Sequence, residues 1–197
     1  MVETSYHHGD LKRTLVAAAR EQIATAGVAS LNIRALARAI GVTHPAVYRH
    51  FADKEALLEA VAEEGFVELT TALTAATTSH HTTEKSRLHA LATAYIEYAL
   101  IQPELTRVMF ALISAEARMN NASLYAASKQ TYGVLLASVA GDEEVAMNNG
   151  AIVWAMLHGL AQLIIEKQLV FLADPVQRAA LITKAVDVLH KGLQRAD

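Results

Sequence analysis

The chain has 197 residues, with 17 Lys plus Arg against 20 Asp plus Glu, a formal charge of -3 and no cysteine. Its length allows a two-part domain or two small ones with a sizeable core. The missing cysteines exclude disulfides, thiolate metal sites and cysteine nucleophiles and point to a reducing, cytoplasmic setting, while the negative total, taken alone, argues against a nucleic-acid partner.

Nine Gly, three Pro and the lack of a long β-branched alternation favour helix throughout. Leu11, Leu15, Ala18, Ala19 and Ile23 recur at helical steps and stop at Gly27, expected in the left-handed conformation. Asn32 reads as the N-cap of a second helix, with Ile33, Leu36, Ala37 and Ile40 on one stripe and Gly41 as its stop. A third, short element runs over residues 43 to about 51, with Pro45 in its first turn. Asp53 caps a much longer helix carrying Leu57, Leu58, Val61, Ala62, Phe66, Leu69 and Leu73, which the polar residues 77–83 break. Residues 84–101 read as one helix, interrupted at Gln102-Pro103 because a residue before proline is pushed out of the helical region.

A helix or pair of helices follows within residues 104–120, and another over 122 to about 140, ended by Gly141. Asp142 caps a helix expected to reach about residue 172, with fraying after Gln168 as the alternative, and Asp174-Pro175 opens the last one, to about residue 194. The prediction is an all-α fold of about nine helices, divided into residues 1–55 and residues 56–197. Residues 151–165 are the longest nearly apolar stretch, but His158 and Gln162 interrupt them and they fall short of the roughly 20 residues of a membrane span, so no membrane partner is expected. Residues 1–10 are polar where a secretory signal needs an apolar run.

The second and third helices, joined by Gly41-Val42-Thr43, have the size and spacing of a helix-turn-helix. Gly41 lets the turn close, and Leu36, Ile40, Val42, Val47 and Phe51 hold the two helices at an angle. Thr43, His44, Tyr48, Arg49 and His50 are left for an outer face, with Thr43 expected to cap the second helix of the pair. Charge supports a division at this motif: residues 1–55 hold seven basic against five acidic side chains, a net +2, and the remainder is net -5.

The ungapped run from about Leu11 to Leu58, above all Tyr48-Arg49-His50-Phe51 followed by Asp53-Lys54 and Leu57-Leu58, resembles the DNA-binding signature of the TetR family of bacterial transcriptional regulators. Residues 6–11, Tyr-His-His-Gly-Asp-Leu, and Trp154-x-x-x-His158-Gly159 look like a subgroup whose C-terminal region bears a Trp-His-Gly signature. The resemblance implies an N-terminal DNA-binding unit, a larger effector-binding and dimerising unit, and release from operator DNA when a small molecule binds. Carried over by position, it implies phosphate contacts from Thr43, Tyr48, His50 and Lys54, and base reading by Arg34, His44, Pro45, Ala46 and Arg49. Arg34 suits guanine and Ala46 a thymine methyl. His44-Pro45 offers little to base edges, so DNA shape is expected to share in specificity. Other roles stand beside these: Tyr48 packing its ring on the first helix, His50 as an ordinary surface histidine, and Arg38 as a solvated helix residue.

In the larger part, Val145, Ile152, Val153, Met156, Leu160, Leu163 and Ile164 form one broad apolar face and Leu181, Ile182, Ala185, Val188, Leu189 and Leu193 another. Such helices suit a four-helix homodimer interface, the alternative being a monomer core. Tyr95, Tyr98, Met109, Phe110, Ile113, Met119, Tyr125, Trp154 and His158 are candidates to line an effector pocket, with ordinary core packing as their other reading. His158 beside Gly159 equally suits a close helix crossing, and Arg107 and Arg118 suit either an anionic effector or surface ion pairs.

Two other function classes find less support in the residues. A hydrolytic or metal-dependent enzyme has only His7-His8 and His80-His81 to draw on; adjacent histidines do not share a helix face, and no zinc, nucleophile-elbow, phosphate-loop or dinucleotide motif occurs. A small-molecule carrier without DNA binding would leave Tyr48, His50 and Lys54 idle. The expectation is therefore a DNA-binding regulator and not an enzyme, needing no cofactor or metal, with operator DNA, a small-molecule effector and a second copy as partners.

Overall fold

A computed structural model describes residues 8–78, 83–113, 121–139 and 143–193. Among them there are nine α-helices, two 3-10 turns and no strand. The helices are α1 (His8–Ala26), α2 (Ile33–Ala39), α3 (His44–Tyr48), α4 (Lys54–Thr78), α5 (Glu84–Ile101), α6 (Pro103–Ala111), α7 (Ala122–Leu136), α8 (Glu143–Ile165) and α9 (Pro175–Leu193). They form two compact units, the first built from the described residues up to Phe66 together with those of Glu104–Tyr125, the second from Val67–Pro103 and the described residues from Ala126 onward.

In the first unit α1 buries Leu15, Val16, Ala19 and Ile23. Gly27 ends it at φ 77°, its N–H reaching the Ile23 carbonyl at 2.8 Å. Asn32 caps α2 as expected, its side chain accepting from the Arg34 and Ala35 amides at 2.9 and 3.1 Å. Asp53 does the same for α4, accepting from Ala56 at 2.8 Å. The α4 face Leu57, Val61, Ala62 and Phe66 is buried, and α6 adds Leu105, Val108 and Met109. Gly65 makes this approach close: a Cβ there would lie 2.6 Å from Met109 Sδ and 3.2 Å from a Leu105 methyl. Phe66 and Phe110 meet edge to face at 5.4 Å, and Glu59, Glu63 and Glu64 take hydrogen bonds from Asn121, Ser123 and Arg20.

In the second unit α5 is central and packs on both α8 and α9. Thr83 and Ser86 form a capping box at its start, and Gln102-Pro103 ends it. Leu88, Leu91, Ala92, Tyr95, Ile96 and Ala99 are its buried face. The sequence expectation for α8 needs correction. The helix ends at Ile165 instead of near residue 172, because Gln168 N–H returns to the Leu163 carbonyl and Lys167 N–H to Ile164, both at 2.9 Å, with Lys167 in the left-handed region at φ 55°. This is a Schellman motif formed without glycine. A 3-10 turn, Val170–Ala173, follows, with Leu172 buried. α7 likewise stops at Leu136, where Ser138 and Val139 bond back to Leu135 and Leu136 in a tighter turn. The expected stop at Gly141 and cap at Asp142 lie outside the described residues. Asp174 caps α9 through the Val176 amide at 2.9 Å.

Candidate nucleic-acid interface

The α2–α3 junction is built by its backbone. Gly41 adopts φ 74°, Val42 N–H returns to the Ala37 carbonyl at 2.9 Å, and Gly41 N–H to Arg38 at 3.2 Å, which terminates α2 and turns the chain in three residues. Leu36 and Val47 are buried on facing sides of the turn, and Phe51 is buried just after α3. The remaining side chains are directed outward. Arg34, Thr43, Pro45, Tyr48 and Arg49 are exposed, while His44, Ala46, His50 and Lys54 are half-buried.

Two local expectations are revised. α3 spans only His44–Tyr48, with Arg49 and His50 in the turn that follows, since Phe51 N–H and His50 N–H both close on the Val47 carbonyl. Thr43 has the extended backbone of an N-cap, yet its hydroxyl makes no capping bond. Tyr48 does not use its ring to fill the core; the ring stands edge-on to His44 at 4.9 Å, a pairing set by their spacing of four residues on one helix face. Opposite the turn, the Lys12 ammonium of α1 lies over the Phe51 ring at 5.9 Å. Lys12 was not among the sequence candidates, and a lysine on an amphipathic helix carries no local signal that would have singled it out.

In the second unit a buried polar centre joins α5 to α8. Tyr95 is 1% exposed, its hydroxyl 3.0 Å from His158 Nδ1, and the Trp154 indole N–H also bonds to it. Burial raises the Tyr95 phenol far above its ordinary range and lowers His158 below the usual histidine value, so both are neutral at pH 7. With Trp154 donating to the phenol oxygen, the phenol hydrogen is available to His158 Nδ1. Tyr132 of α7 meets the Trp154 ring at 5.8 Å and donates to the Met147 carbonyl at 3.2 Å. Thr70 and Thr131 add a further hydrogen bond at 2.7 Å. Tyr132, Thr70 and Thr131 were not foreseen, because only the packing of α4, α7 and α8 into one unit makes them neighbours.

The other pocket candidates are distributed differently. Tyr98 is half-buried on α5. Met109, Phe110, Ile113 and Tyr125 belong to the first unit, where Met109 packs on Gly65 and Phe110 on Phe66. Met119 lies outside the described residues, as do Arg118, His7, His80 and His81. Arg107 is ion-paired with Glu104. Among the described residues an added Cβ at Gly159 would meet nothing within 4 Å; His158 reaches across to Tyr95 of α5. Among the described residues no group of three or more metal-ligating side chains occurs, and no helix is long and apolar enough to cross a membrane.

Comparison with known proteins returns two family models, one described as bacterial regulatory proteins of the tetR family over residues 15–61 and one as a tetracyclin repressor-like C-terminal domain over residues 88–189. Among solved structures the chain is similar to a protein of unknown function from Rhodococcus sp. RHA1, at 32% identity and TM-score 0.80, covering 96% of this chain and 98% of that one. A tetR-family regulatory protein from Rhodococcus RHA1 shares 22% identity at TM-score 0.66, with 89% and 94% covered. A TetR variant from Acinetobacter baumannii AYE in complex with minocycline shares 24% at TM-score 0.64, with 94% and 97% covered. The curated proteins returned no match.

Proposed function

The chain belongs to the TetR family of bacterial regulatory proteins, DNA-binding transcriptional regulators and not a family of enzymes, and from that premise we propose that it is a repressor released from a near-palindromic operator by a small-molecule effector. Residues 1–55 read DNA and residues 56–197 bind the effector and dimerise. The observation that carries this reading is the outward set on the glycine-closed turn: Tyr48 and Arg49 exposed, His50 and Lys54 beside them, with Val47 and Phe51 buried behind. Thr43, Tyr48, His50 and Lys54 hold phosphates. Arg34, His44, Pro45, Ala46 and Arg49 face base edges, Arg34 with the donor fork that suits guanine.

The effector meets the second unit at Tyr95, Trp154 and His158, with Tyr98 on the same helix as Tyr95. Two copies associate through α8 and α9, whose apolar residues divide between inside and outside: Val153, Leu157 and Ile182 are buried, while Ile152 and Val188 remain 51% and 62% exposed. A C2 pair of that kind places two α3 helices for successive major grooves, about 34–36 Å apart. Effector binding shifts the population toward a dimer that no longer matches this spacing, and a coupling of about 1–3 kcal/mol changes operator affinity about 5- to 150-fold. Selection of bound sequences from a random duplex pool tests the reading: a two-fold symmetric site with half-sites one turn apart is expected, and recovery of no enriched sequence would overturn it.

A further inference from the structure

Lys12 projects from the early turns of α1, and its exposed ammonium lies 5.9 Å from the centroid of the Phe51 ring. Phe51 is buried beneath it and stands in the chain between His50 and Lys54. Arg20, two turns further along α1, is engaged by Glu64 at 3.4 Å, whereas no carboxylate among the described residues pairs with Lys12. An aromatic face attracts a cation through its quadrupole but supplies no counter-charge, so the ammonium keeps its full charge and its donors. The ring also restricts a side chain that otherwise loses much rotamer freedom when it meets a partner. Lys12 is thus a cation without a carboxylate partner among the described residues, held over the ring that follows α3.

We infer that Lys12 is a further contact to the DNA backbone: held over Phe51, whose chain neighbours include His50 and Lys54, it engages phosphodiester oxygens flanking the groove entered by α3. The inference rests on the DNA-binding reading above and adds a residue that neither the motif nor the family match assigns. A phosphate contact is independent of sequence and appears in the salt dependence of binding, which a purely packing role for Lys12 would not alter.

The test measures binding of the wild type, Lys12→Gln and Lys12→Arg to the selected operator duplex and to a scrambled duplex, between roughly 50 and 200 mM salt. Lys12→Gln is expected to bind both duplexes more weakly by the same factor, roughly tenfold per copy near 0.1 M salt, with the log–log salt slope shallower by about 0.9 per copy. Lys12→Arg retains both affinity and slope, and equal melting temperatures show that the fold is unchanged. An unaltered affinity and slope for Lys12→Gln overturns the inference, as does a loss confined to the operator, which would mean base reading. Failure of the wild type itself to bind either duplex is a separate result that removes the DNA-binding reading.

Discussion

Tyr95 concentrates the polar chemistry of the second unit at one buried oxygen, between the Trp154 N–H and His158 Nδ1. Tyr95→Phe keeps the ring and deletes that oxygen, leaving the indole donor and the imidazole acceptor without it. Chemical denaturation should show a loss of about 1–3 kcal/mol, and unchanged stability would mean that the network contributes nothing. His158 also has a pH signature. Burial lowers its folded value below 6.5, so the unfolded chain binds the proton first as pH falls. Its stabilising contribution is fully present above about pH 6.5 and is lost as pH drops through the lower folded value. A melting series from neutral pH downward should therefore fall more steeply for the wild type than for His158→Asn; parallel curves would refute the assignment. The residues themselves marked His158 as unusual, yet not its role, because its partner lies 63 positions away on another helix.

At the scale of elements, the positive-φ helix ends at Gly41 and Lys167 make opposite predictions. Gly41 holds φ 74° at the turn between α2 and α3, and Gly41→Ala introduces a Cβ where backbone sterics disfavour it. A loss of about 1 kcal/mol is expected on thermal unfolding, with weaker DNA binding because the angle between the helices depends on this turn. Lys167 holds φ 55° at the end of α8 with no such exemption. Lys167→Gly should raise stability by about 1 kcal/mol, and a decrease would show that the lysine side chain contributes more than its backbone costs. These two sites also explain which boundaries were readable. Gly27, Gly41, Asn32, Asp53 and Asp174 announce caps by residue type, and those ends fall where expected. The end of α8 did not, since its Schellman bonds close on an ordinary lysine.

For the whole molecule, the proposed dimer makes the sharpest demand on the outward residues of α8 and α9. Ile152→Lys combined with Val188→Lys places charges on both exposed faces and leaves the buried Val153 and Ile182 untouched. Light scattering should report a single-chain mass for this variant with its helix content retained, and operator affinity should fall because two half-sites are no longer held by one particle. A dimer that survives both charges would place the interface elsewhere. A net -3 is compatible with a DNA-binding reading at this scale because the charge is divided, +2 in residues 1–55 and -5 beyond.

Periodicity and cap residues alone determined that the chain is all-α, where most helices begin, and that α2 and α3 form a helix-turn-helix, since these are local properties carried by side chains three or four positions apart. Only the tertiary structure decided which face of each apolar helix points inward, that Met109 packs against Gly65, that Tyr95 meets Trp154 and His158, and that Lys12 rests on Phe51. Those contacts join residues distant in the chain, and a helical repeat specifies that a stripe is apolar without specifying which partner covers it.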